Sequence, residues 1–273
     1  MKSLIFYFLL FCLSSCSDQT IEYFELGEFR FLTAIANLPE VDGSVSNIVS
    51  ITPYISDIDA GGRTIALEIY ACPDPGISNG QEAACQPSLS TTQNISYSSI
   101  HTSSLGSSFT GALPSFSVSV PAGLLTGLAD DVRFNGIDFI VTMNFSFDQE
   151  HFYTYKRIKV SERLSKNTNP SINEILFSQS ASKALEDKDE LSITTSGNAE
   201  ESYEIAKPNT NDKETLEEEA FVTWFTYQGT SAFSRTFVDE GTSFELGKEG
   251  DISKAFVAAI LRDGRGGASF AIR

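Results

Sequence analysis

Apolar side chains recurring at every second position run through this chain, and a two-residue period confines a segment to β-strand geometry. Phe116, Val118 and Val120 fall on one face of a short segment, with Ser115, Ser117 and Ser119 on the other. Phe139, Val141, Met143, Phe145 and Phe147 repeat the pattern over a longer stretch, opposite Thr142, Asn144 and Ser146. Such a strand has one wet face. Residues 220–227 (AFVTWFTY) and 256–261 (FVAAIL) are apolar on both faces and read as strands central to a sandwich. The 21 Phe and 9 Tyr add to the same preference. The fold expected is therefore mostly β. Residues 181–190 and 212–219 favour helix locally but lack an apolar stripe, so they read as solvated connections with at most a helical turn.

The alternation lapses at residues 161–171 (SERLSKNTNPS), which are polar and contain Asn-Pro, the chemistry of a loop. A hinge is expected near Asn167. It would separate a first β-sandwich domain, residues 21–164, from a second, residues 165–273, whose length suits an immunoglobulin-like sandwich.

The N-terminus carries a different signal. Lys2 precedes an apolar run over residues 4–13, which is too short to span a bilayer that needs about 20 apolar residues. Leu13-Ser14-Ser15-Cys16 then resembles the lipobox of bacterial lipoproteins. That resemblance implies a cleaved signal peptide (residues 1–15), a lipidated Cys16 as the new N-terminus and a short tether (16–20). An ordinary secretory signal cut near Ser15 or Ser17 is the alternative. Ser17 stands where the family's inner-membrane retention signal carries aspartate, so the outer membrane is the expected location. Lipid anchoring is strong, at about 0.8 kcal/mol per buried methylene. It also fits the charge: a net −17 argues against nucleic acid and against unaided docking to anionic lipid. The expected partners are the membrane, through the lipid, and an envelope protein or glycan.

Processing simplifies the four cysteines. Cys12 leaves with the signal and Cys16 is acylated, so Cys72 and Cys85 remain, and an oxidising compartment favours a disulfide between them. A loop of that size restricts the unfolded chain by about 3 kcal/mol. Two cysteines without a nearby histidine make no zinc site.

Other constellations are weaker. Residues 57–68 (DIDAGGRTIALE) approach a calcium loop, with Asp57 and Asp59 as ligands, but position five is Gly61 and the flanks alternate as strands. A Gly-Gly turn is the simpler reading. Near the C-terminus, Arg262, Asp263 and Arg265 belong to an Asp-Gly turn between strands; the functional alternative has the arginines and backbone amides gripping a phosphate or carboxylate. Phe152, Tyr153 and Tyr155 beside Lys156, Arg157 and Lys159 form the one local basic cluster, either a charged edge strand or a binding edge. The two histidines, His101 and His151, sit in no catalytic motif. Pairs such as Asp130 with Asp131 or Asp187 with Asp189 carry little information in a chain with 36 acids. Trp224, among apolar neighbours, reads as core. No enzyme activity, metal or cofactor is expected.

Together the lipobox, the Cys72-Pro73-Asp74-Pro75-Gly76-Ile77 segment ending in Cys85, and the terminal Leu261-Arg262-Asp263-Gly264-Arg265-Gly266-Gly267 turn resemble envelope lipoproteins of predatory and delta-type bacteria. The second unit is similar to immunoglobulin or cadherin-like bacterial surface modules, without the cadherin calcium-ligand motifs. The resemblance implies β-sandwich modules and a structural or protein-interaction role at the outer membrane. A glycan or small-ligand binding lipoprotein, and a hydrolase without recognisable motifs, are the alternatives.

Overall fold

A computed structural model describes residues 22–85, 97–196, 199–208, 210 and 212–273. The expected signal peptide, Cys16 and its tether lie outside the described residues. What is described is mostly β, with one short helix, α1 (Asp130–Asn135), of more than a single turn.

The first half of the chain forms two facing sheets. One is built on β3 (Asn47–Asp57), which pairs with β1 (Arg30–Ala36) on one edge and with β6 (Phe109–Ala112) and β7 (Phe116–Val120) on the other. The second runs in the order β2, β9, β8, β4, β5, where β2 is Glu40–Asp42, β4 is Thr64–Pro73, β5 is Tyr97–Ser104, β8 is Ile137–Phe147 and β9 is Glu150–Ser161. The alternating residues do what their period dictates. Phe139, Val141, Met143, Phe145 and Phe147 of β8 meet Val49, Ile51 and Val118 of the opposite sheet in one core. Cys72 and Cys85 are bonded, with their Cα atoms 5.6 Å apart, and lie on the outer side of β8 against Ile140.

The second half repeats the arrangement with its own core. One sheet runs β10 (Ile172–Phe177), β11 (Glu190–Thr195), β17 (Thr242–Leu246) and β15 (Gly229–Ser231). The other runs β16 (Arg235–Phe237), β14 (Phe221–Tyr227), β18 (Phe256–Arg262) and β19 (Ala268–Ile272). Trp224 is fully buried between them and donates its indole N–H to Thr236 Oγ1 at 3.1 Å. A separate hairpin, β12 (Ser202–Ala206) with β13 (Lys213–Glu217), projects from this half. Its second strand occupies the acidic stretch expected to be a solvated connection.

Strands β14 and β18 are apolar on both faces for a reason the alternation alone does not give. Val222, Trp224, Val257, Ala259 and Leu261 face the inner core of the second half. Phe225, Ala258 and Ile260 face outward and are buried against Leu26, Leu32 and Tyr54 of the first half. The two halves thus share an apolar, buried contact. A bulge in β1, where the register with β3 shifts between Phe31 and Thr33, makes this possible. It lets Phe31, Ala34 and Ala36 all serve the first core while Leu32 points to the contact.

Candidate functional site

Where the two halves meet at one end, apolar packing gives way to buried charge. Glu40 of β2, 2% exposed, is bound by Arg265, whose guanidinium lies 2.9 Å from Glu40 Oε2 and 2.8 Å from Glu218 Oε1. Ser161 donates its hydroxyl to Glu40 Oε1, and the Asn167 amide donates to Oε2 at 3.0 Å. Arg163 lies 3.9 Å from the same carboxylate. Asp263 receives the amides of Arg265 and Gly267 at 2.8 and 2.9 Å and the Asn167 side-chain amide at 2.9 Å. A buried carboxylate is tolerable when it is paired and hydrogen-bonded, as Glu40 and Glu218 are, and Asp263 is held instead by three neutral N–H donors. Burial pushes Glu218 up to about 6, opposed by the Glu201 amide and by Arg265.

Beside this knot opens a cleft of about 750 Å³. Its walls come from both halves: β1, β9, the turn between β18 and β19, and the β12–β13 hairpin as an overhang. The hairpin is latched to α1 at two points, Asn135 Nδ2 donating to Ala206 O at 2.8 Å and Ala206 N donating to Asn135 Oδ1 at 2.7 Å. Tyr203 on the hairpin receives the Arg265 guanidinium 4.3 Å from its ring centre. The wall holds six cations, Lys156, Arg157, Lys159, Arg163, Arg262 and Arg265, against two carboxylates, Glu40 and Asp138. That balance is the reverse of the whole chain, which carries −17.

Each cation has a traceable position. Lys159 reaches Asp138 at 2.5 Å and Arg157 lies 3.8 Å from it. Lys156 donates to the Gly266 carbonyl at 2.5 Å, and burial lowers its ammonium to about 8. Arg262 donates to Thr223 Oγ1 at 2.9 Å and Leu32 O at 3.1 Å; burial lowers it too. Gly264 and Gly266 take φ of 77° and 109°, the left-handed region glycine enters without steric cost. Among the described residues their amides make no hydrogen bond, while Asp263 holds those of Arg265 and Gly267.

The C-terminal turn and the basic, aromatic strand β9, separate in the sequence, are thus brought together in one cleft. The other sequence candidates lie elsewhere. Asp57 is fully buried and accepts both Nε and an Nη of Arg63, at 2.7 and 2.6 Å, so its oxygens are already taken. Asp59 lies in the following turn, and no cluster of three metal-ligating side chains occurs among the described residues. His101 lies on β5 with Nε2 2.9 Å from Ser99 Oγ; His151 is exposed on β9. Asp189 holds Lys183 and Ser178, Asp187 accepts the Leu246 amide, and Asp130 and Asp131 open α1. Asn167, the expected hinge, is 3% exposed. Glu40, Glu218 and the hairpin were not singled out by sequence reasoning, since one glutamate among 36 acids carries no mark. No protein-family model and no curated protein matches this chain.

Proposed function

We propose that this chain is a binding module held at a bacterial outer membrane by lipid on Cys16, built from two immunoglobulin-like sandwiches, with the cleft between them as its ligand site. The observation that carries this reading is the cleft: concave, walled by six cations and several aromatic rings, and sized within the usual range for a small-molecule site. It shifts the weight from a purely structural or protein-interaction role to ligand binding. Catalysis is poorly supported. Neither histidine lines the cleft, and its two carboxylates are engaged, Glu40 by Arg265 and Asp138 by Lys159.

Native mass spectrometry of the protein isolated from its own envelope tests both parts. Expected are acyl adducts that disappear in Cys16→Ala, and a bound small molecule whose occupancy drops in Arg157→Glu. Unchanged acyl adducts in Cys16→Ala would remove the anchor; a cleft free of ligand in both forms would remove the binding role.

A further inference from the structure

Resting on that reading of the cleft, we propose that its ligand is a compact ring compound bearing an oxyanion, a sugar acid or sugar phosphate, held by Lys156, Arg157 and Arg262 with the amides of Gly264 and Gly266. The cations of the wall are not equivalent. Arg163 and Arg265 are committed to Glu40 and Glu218, and Lys159 is committed to Asp138, which the exposed Arg157 only approaches at 3.8 Å. Lys156 and Arg262 form no ion pair among the described residues; their partners are neutral oxygens of Gly266, Thr223 and Leu32. Lys156 feels the Asp263 carboxylate only at a distance and Arg262 contacts no carboxylate, so both desolvated cations carry a cost that an entering oxyanion would offset through charge-assisted hydrogen bonds. The two hydrogen-bond-free amides at the same turn offer further donors.

The neighbourhood limits the ligand's size and shape. Across Gly264 and Arg265 lies a second hollow of about 590 Å³ whose wall includes Glu217, Glu219 and Glu240. An extended polyanion leaving the basic cleft would run into those carboxylates, whereas a ligand with one or two charges need not. Tyr155 supplies a ring in the basic cleft suited to the apolar face of a sugar, while Tyr203 is already stacked by Arg265 and serves to hold that guanidinium in the wall.

Calorimetric titration of the full chain at low salt with D-glucuronate, glucose 6-phosphate and glucose tests this. At least one of the two anions should bind with Kd below about 1 mM, glucose should not, and Lys156→Gln and Arg157→Gln should each weaken the anion at least about fivefold. The carboxylate and phosphate arms separate the two ligand sources. Glucose binding as tightly as the anions, with loss in Tyr155→Ala, would overturn the charge assignment while leaving the cleft as a binding site. Anion binding indifferent to both substitutions would overturn the location. Failure of all three probes would overturn the ligand class, whereas the cleft reading falls only if the natively isolated protein carries nothing.

Discussion

Arg265 shows how one side chain can decide the stability of two halves. It satisfies two carboxylates whose side chains are each 1% exposed, from β2 and from the segment after β13. Arg265→Met should cost about 3–5 kcal/mol in denaturant unfolding, because two buried charges lose their shared partner. Replacing Glu40 and Glu218 by Gln in that background should recover much of the loss, since removing all members of a buried ion group is far cheaper than removing one. A triple variant no more stable than Arg265→Met would refute this account. Glu218 adds a pH dependence whose sign follows from its raised value. The folded state holds the Glu218 proton more tightly than the unfolded chain, whose ordinary value is 4.5, up to about 6. Its contribution to stability therefore grows as pH falls from above 6 towards 4.5. The stability of the native chain relative to Glu218→Gln should rise over that window, and thermal melts at pH 7, 6 and 5 measure it.

Among the elements, legibility tracks burial. Strand β8 was readable because its core face carries only large apolar side chains while the other carries mostly small polar ones, although that second face is also covered: Ile140 lies under the disulfide and Thr142 is buried. Strand β13 was not: Leu216 is the lone apolar residue in KETLE, and the hairpin is held by side-chain latches rather than a buried face. The two-faced strands β14 and β18 were recognisable as strands, but nothing local tells whether the second apolar face meets another sheet, a helix or a partner. The cleft was legible only in pieces, since its basic strand and its glycine turn lie about a hundred residues apart and each has a simpler reading alone. The hairpin latch makes its own prediction. Asn135→Ala removes both hydrogen bonds to Ala206 and should cost about 1–3 kcal/mol locally. Hydrogen exchange should accelerate in β12 and β13 with little change in β8; uniform acceleration would show that the latch supports the whole fold instead.

For the whole molecule, the contact between halves governs cooperativity. Leu164 is fully exposed, yet Arg163 and Asn167 on either side are buried against Glu40 and Asp263. Limited proteolysis should therefore nick near Leu164, and the two fragments should elute together without denaturant, because the apolar sheet contact and the charge knot survive one broken peptide bond. Fragments that separate would show the halves to be independent. The Glu40–Arg265 pair spans 225 residues of chain, and that separation has a consequence for synthesis and folding. A nascent chain holds Glu40 without its guanidinium until residue 265 has emerged, so the native arrangement at β2 waits on a turn 225 residues later. Truncation before Arg265 would be felt first at residue 40, far away in the sequence, so the first sheet depends on a turn that lies in the last strand pair of the second half.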